Sequence, residues 1–226
     1  MKGKKNLKLD EKTIKKEFLN YSNLKTKKIE QEGMEKIGKT LGIDIYTDIF
    51  ITYFFFKCGC KRVEEVSENE FITGLKYFQS NTLKDIKKQI PSIRKGLLDI
   101  SSNEFKNFYR YLFTFNNTKI LSFEVVEVYF NNLFLKKYPI VQFFLQFLKQ
   151  IKSQGLNKDQ WECFLDFLLD QGNTFPKDYN CESYYPLIID QFYEYYCDLK
   201  KIPKKKWKKN IFIKFFSRNV VFYYSK

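Results

Sequence analysis

Asn157-Lys158-Asp159-Gln160-Trp161-Glu162-Cys163-Phe164-Leu165-Asp166-Phe167-Leu168 reads as a helix with its start signal attached. Asn157 suits the cap position, and Trp161, Phe164, Leu165 and Leu168 recur at the three- and four-residue spacing of one buried stripe. The pattern repeats across the chain. Ser67-Glu68-Asn69-Glu70 is a capping box, in which the hydroxyl accepts from the third amide and Glu70 reaches back. Ser101-Ser102-Asn103-Glu104 offers the same device ahead of Phe105, Phe108, Tyr109 and Leu112. Pro139 suits the first turn of a helix that turns Val141, Phe144, Leu145, Leu148 and Ile151 inward. Ser183 is placed to cap a last helix with Leu187, Ile188, Phe192 and Tyr195 inward.

Strand signals are sparse. Residues 49–56 are rich in β-formers, and their length suits either a strand or a short helix. Helical neighbours on both sides, with Cys58-Gly59 as a C-cap, favour a buried helix. The expected fold class is all-α, one compact domain of nine or ten helices.

Composition removes several kinds of chemistry. The chain has 226 residues, 44% of them hydrophobic and 19% aromatic, which is enough for a real core. It contains no histidine, so Ser-His and Cys-His pairs and the commonest zinc ligand are absent. Five cysteines with one C-x-C pair, Cys58 and Cys60, match neither a zinc ribbon nor a disulfide framework; reduced thiols are expected. Asp159 to Asp170 has the length of a calcium loop, but its sixth residue is Phe164 where glycine is needed. No phosphate-binding loop is present, and the apolar run 49–56 is far short of the ~20 residues that span a bilayer. The expected set is therefore no catalytic residue, no metal and no cofactor.

Charge is distributed unevenly. The net charge is +14, yet residues 1–30 hold ten lysines against four acids, and residues 200–226 hold ten cations and no acid. The intervening 31–199 carry 20 cations and 22 acids. Between Asp159 and Leu199, nine acids (Asp159, Glu162, Asp166, Asp170, Asp178, Glu182, Asp190, Glu194 and Asp198) stand against a lone cation, Lys177. Aromatic rings run through this acidic stretch, which points to a docking face for a basic protein partner rather than for nucleic acid.

The order of these segments resembles the defective-in-cullin-neddylation family. The similarity rests on Asn157-Lys158-Asp159-Gln160-Trp161, Phe164-Leu165-Asp166-Phe167, Asp178-Tyr179-Asn180 and Tyr185-Pro186-Leu187-Ile188-Ile189-Asp190-Gln191-Phe192. Upstream it includes Gly33-Met34-Glu35-Lys36, Leu41-Gly42-Ile43-Asp44, Ser67-Glu68-Asn69-Glu70-Phe71 with Gly74-Leu75, and Phe108-Tyr109-Arg110-Tyr111 with Phe113-Thr114-Phe115. It covers about residues 31–199. The resemblance implies two EF-hand-like helical lobes without metal binding, forming a potentiating-neddylation domain over 31–199. Residues 1–30 are then a basic segment, partly helical or disordered, and 200–226 a basic disordered tail.

The resemblance also implies a function: a non-catalytic, scaffold-type co-ligase that holds a cullin and the N-acetylated neddylation conjugating enzyme together. Carried onto this chain, the cullin-binding positions are Asp159, Tyr184 and Asp190, with Tyr184 where the family has a small residue. The pocket for the acetylated terminus maps to Met34, Ile51, Phe54, Phe55, Val66, Phe115 and Tyr129, with the Val63 carbonyl as acceptor. Asn132 departs from an aliphatic position. Each site residue also has a plain structural reading: Asp159 suits a first-turn acid that complements its helix dipole, Asp190 suits a local hydrogen bond, and the apolar residues suit a core. The expected state is a monomer in cytoplasm and nucleus, with no small-molecule substrate and no membrane contact. An alternative reading is a nucleic-acid-binding helical module that uses the basic ends, above all Lys204-Lys205-Lys206-Trp207-Lys208-Lys209.

Overall fold

Local capping fixes where the helices start. In the computed structural model, which describes residues 9–62, 65–172, 174–177, 179–180 and 184–204, ten helices and four very short strands are found. Helices α1 (Glu11–Leu19) and α2 (Gln31–Leu41) flank strand β1 (Lys28–Ile29). Helices α3 (Ile49–Cys58) and α4 (Glu68–Tyr77) flank β2 (Val66–Ser67). After α5 (Leu83–Gly96) the arrangement repeats: α6 (Asn103–Phe115), β3 (Ile120–Ser122), α7 (Phe123–Leu133), α8 (Ile140–Gln150), β4 (Gly155–Asn157) and α9 (Lys158–Gln171). Helix α10 (Leu187–Lys200) closes the second half against α8.

Each half is a pair of helix–loop–helix units zipped by an antiparallel ladder. In the first, Lys28 pairs with Ser67 and Ile29 with Val66. In the second, Ile120, Leu121 and Ser122 pair with Asn157, Leu156 and Gly155. This is the layout of paired EF hands. The first loop carries Lys25, Lys27 and Lys28, cations where a calcium loop needs oxygen donors. Among the described residues no cluster of three His, Cys, Asp or Glu side chains could hold a metal, and no helix is long and apolar enough to cross a membrane.

The capping box of Ser67 and Glu70 forms as expected; Asn157 takes its expected cap position and, with Gln160, forms a reciprocal box as well. The third differs. Ser102, rather than Ser101, caps α6 and accepts from the Phe105 amide. Glu104 is instead drawn to the first lobe, where its carboxylate accepts from Lys57 Nζ at 2.7 Å, from the Tyr77 hydroxyl at 2.9 Å and from the Tyr53 hydroxyl. Residues 49–56 are helical within α3, which ends in a left-handed Gly59. Two residues expected inward point out. Ile151 ends its helix as the cap residue and Leu187 begins α10; both are exposed. Ser183 lies outside the described residues, and α10 starts directly after Pro186.

The core is aromatic and continuous through both lobes. Its centre in the second lobe is a clasp between α6 and α9. The Tyr109 and Trp161 rings stack at 4.2 Å and 7°; the Tyr109 hydroxyl donates to the Trp161 carbonyl at 2.8 Å, and Trp161 Nε1 donates to the Tyr109 carbonyl at 3.0 Å. Helix α1 is part of the packed body, since Ile14 and Phe18 are buried and Phe18 packs 5.7 Å from Phe71.

Two tests follow from this framework. Gly155 has φ +145, and a Cβ there would lie 1.7 Å from the Leu121 carbonyl oxygen across the β3–β4 ladder. Gly155→Ala is expected to cost at least ~1–3 kcal/mol and lower the melting temperature by several degrees, read by thermal circular dichroism. The Glu104 carboxyl is pulled from 4.5 down to about 2, chiefly by Lys57 and then by the Tyr53 hydroxyl. A depressed acid stabilises the fold above its unfolded value and loses that contribution as pH falls from about 4.5 to about 2. Glu104→Gln is expected to flatten the fall in melting temperature across that window; an unchanged acid limb would remove Glu104 as its source.

Candidate functional site: a seam cleft and an acidic face

The α2–α3 loop runs along the seam between the lobes, and a cleft of about 200 Å³ opens beneath it. Ile45, Tyr46 and Thr47 of the loop form one edge, with Ile51, Thr52 and Phe55 of α3 below. The second lobe supplies Phe115 and Asn116 from the end of α6 and Val128 and Tyr129 from α7. Phe55 and Phe115 lie 6.0 Å apart, so the floor is aromatic. A few polar groups are fixed within it. Asn116 Nδ2 donates to the Tyr129 hydroxyl at 3.0 Å and to the Leu112 carbonyl at 2.7 Å. Burial raises the Tyr129 phenol above the usual tyrosine range, with Asn116 and Thr52 opposing the shift, so its hydroxyl stays protonated at neutral pH. A largely apolar slot whose lining carboxylate, Asp48, is already engaged by Arg94 suits an uncharged ligand end.

Of the residues the sequence nominates for this pocket, Ile51, Phe55, Phe115 and Tyr129 line the cleft. Met34, Phe54 and Val66 are buried and are not among its lining; Phe54 stacks on Phe78 at 6.0 Å. Val63 lies outside the described residues. Ile45, Tyr46, Thr47, Thr52, Asn116 and Val128 were not legible. Five of the six sit in a loop, at a helix cap or as a polar position within an apolar run, where periodicity carries no information. Asn132 has a concrete part: its Nδ2 donates to the Thr47 carbonyl at 3.0 Å, pinning the cleft's loop to α7.

The second feature is a face built from α9 and the start of α10. Asp159 is exposed in the first turn of α9, with the Cys163 thiol 3.9 Å from its Oδ1. Asp170 stands eleven residues further on, roughly 16 Å along the axis. There it accepts from the Tyr185 hydroxyl at 2.5 Å and the Tyr184 hydroxyl at 3.2 Å. Tyr184 is 58% exposed and packs 4.8 Å from Tyr185, so its ring is a fixed part of the surface. Asp190, in the first turn of α10, accepts from the Tyr179 hydroxyl at 2.5 Å, which is the local hydrogen bond its position suggests. Asp166 reports the crowding of charge: partial burial and then the Asp170 carboxylate push its carboxyl up, against Lys106 and Arg110. Asp178 and Glu182 lie outside the described residues.

Comparison with known proteins decides what this face belongs to. A family model described as "Cullin binding" matches residues 85–195, from α5 to the middle of α10. Over these residues the chain is similar to the cullin-binding, DCN1-like proteins. Similar proteins extend the likeness into the first lobe. DCN1-like protein 5 of Bos taurus is 28% identical over 171 residues, 73% of this chain and 70% of that protein. DCN1-like protein 4 of Homo sapiens is 29% identical over 174 residues, 74% of this chain but 57% of that protein. DCN1-like protein 4 of Drosophila melanogaster is 26% identical over 171 residues, covering 73% of this chain and 66% of the relative. The likeness supports a role in cullin neddylation, with a cullin as partner.

Proposed function

We propose that this chain is a non-catalytic, scaffold-type co-ligase: the acidic α9–α10 face receives the winged-helix end of a cullin, and the seam cleft receives the N-acetylated terminus of the neddylation conjugating enzyme. The observation that carries the reading is the seam cleft itself, an apolar slot with Asn116 and Tyr129 inside it, on the molecule that carries the cullin-binding domain. Holding two reactants in register raises their effective concentration by several orders of magnitude, so the scaffold needs no acid or base of its own. A histidine-free chain is adequate to that task. Asp159, Tyr184 and Asp190 are the cullin-contacting residues in this reading, and Ile51, Phe55, Phe115 and Tyr129 the cleft contacts. The protein acts as a monomer in cytoplasm and nucleus.

Acetylation matters for an electrostatic reason. A free terminal amine carries a charge that the apolar cleft would have to desolvate, whereas an acetylated amine is neutral and keeps one N–H to donate. The methionine thioether then packs against Phe55 and Phe115.

The direct test is a reconstituted cullin neddylation assay with and without the protein; equal rates would end the proposal. For the acidic face, Asp159→Lys together with Asp190→Lys is expected to abolish cullin binding while the helical spectrum is kept, measured by calorimetry; wild-type affinity in the double variant would reassign the interface. For the cleft, an acetylated conjugating-enzyme peptide is expected to bind at least about a hundredfold more tightly than its free-amine counterpart. Fluorescence polarisation of the two peptides checks this, and equal affinities would remove the cleft from the mechanism.

A further inference from the structure

A second groove, of about 350 Å³, lies between α8 and α10, away from the cleft's lining residues. Phe147 and Ile151 form one wall; Glu194, Tyr195, Asp198 and Leu199 form the other. Ile151 is 45% exposed and Leu199 47%, so an apolar strip is left open with two exposed carboxylates beside it. That combination fits a segment carrying both cations and large apolar side chains.

The path of the chain says which segment is nearest. Helix α10 ends at Lys201 in a left-handed conformation, φ 53, and the Ile202 amide donates back to the Cys197 carbonyl at 2.9 Å. The chain thereby leaves the helix instead of running on along its axis. The Lys204 side chain is turned toward the groove: its Nζ lies 2.8 Å from the Asp198 carboxylate, one of the groove's own acids. The Lys204 ammonium is also held above the ordinary lysine range, by the Asp198 hydrogen bond first and with Glu194 contributing. The next residues are Lys205, Lys206, Trp207, Lys208 and Lys209, followed by Ile211, Phe212 and Ile213. Trp207 is three residues beyond Lys204, within a reach of about 10 Å.

We propose that the α8–α10 groove is a docking site for the chain's own basic C-terminal stretch, with Trp207 against the Ile151–Leu199 strip and the flanking lysines against Glu194 and Asp198. Tethering makes the encounter intramolecular, so even weak contacts hold the segment in place. Docked there, its cations are committed to the protein's own acids, and they are withheld from phosphates. The inference does not depend on the cullin or conjugating-enzyme reading, because none of those proposed contacts line this groove.

Hydrogen–deuterium exchange of the full chain tests it. Amides of 205–213 are expected to exchange at least tenfold more slowly than in a synthetic peptide of the same sequence. Glu194→Lys with Asp198→Lys, and separately Ile151→Ser, are expected to restore peptide-like exchange while α6 and α9 stay protected, which certifies the fold. A tenfold dilution of the wild-type protein is expected to change nothing. Peptide-like exchange in the wild type, or protection that survives both variants, would overturn the proposal. Protection lost on dilution would overturn it too, since it would mark a second copy as the occupant.

Discussion

The reciprocal clasp of Tyr109 and Trp161 is the interaction on which both candidate sites rest. A buried phenol and a buried indole each carry one proton that must find an acceptor, and leaving either unmet costs about 1–3 kcal/mol. Here each ring donates to the backbone carbonyl of the other's residue, while the two faces stack at 4.2 Å. The pair therefore fixes the rotation of α9 relative to α6 as well as their separation. Rotation matters because Asp159 stands two residues before Trp161 on the same helix: with the indole turned inward, the carboxylate is turned to solvent. The indole also meets the Tyr129 ring edge-on at 6.1 Å, and Tyr129 is a wall of the cleft. One side chain thus braces the helix of the acidic face and a wall of the apolar slot.

Contacts across the seam set the cleft's shape. Glu104 on α6 gathers Lys57, Tyr53 and Tyr77 from the first lobe, and Lys57 lies 4.2 Å over the Tyr77 ring. Asn132 on α7 holds the carbonyl of Thr47 in the α2–α3 loop. These polar links join elements distant in sequence at the margins of a seam whose middle is aromatic. A cleft bounded in this way is preformed, so a ligand need not spend binding energy on ordering the loop.

What could be read from the residues follows the range of the forces involved. Capping boxes are short-range, so Ser67 and Asn157 were legible, and so were the stripes that bury Phe164, Leu165 and Leu168. Ser101 was misread because the decisive partner of Glu104 is Lys57, 47 residues earlier and in the other lobe. Ile151 and Leu187 have the right spacing for burial but fall where their helices end, and both are exposed. For the cleft, the apolar positions on helices, Ile51, Phe55, Phe115 and Tyr129, could be nominated through family resemblance. The loop edge at Ile45, Tyr46 and Thr47 could not, since no periodicity specifies how an irregular segment crosses a seam. Tyr184 lies between these cases: its departure from a small residue is visible in sequence, but only the structure shows its hydroxyl on Asp170.

The distribution of charge turns this architecture into a device with preferred partners. The carboxylates of α9 and α10 are spread along one face rather than clustered, and the phenols of Tyr179, Tyr184 and Tyr185 each donate to Asp190 or Asp170. A hydroxyl donor lowers the cost of holding a carboxylate charged near an apolar surface but leaves its net charge in place. On α9, burial and then Asp170 push the Asp166 carboxyl up, and the nearby cations Lys106 and Arg110 only partly offset this. A face on which Asp170 and Asp190 accept from tyrosine hydroxyls attracts a basic partner and offers aromatic surface on contact. Residues 31–199, with 20 cations and 22 acids, are slightly negative although the whole chain carries +14.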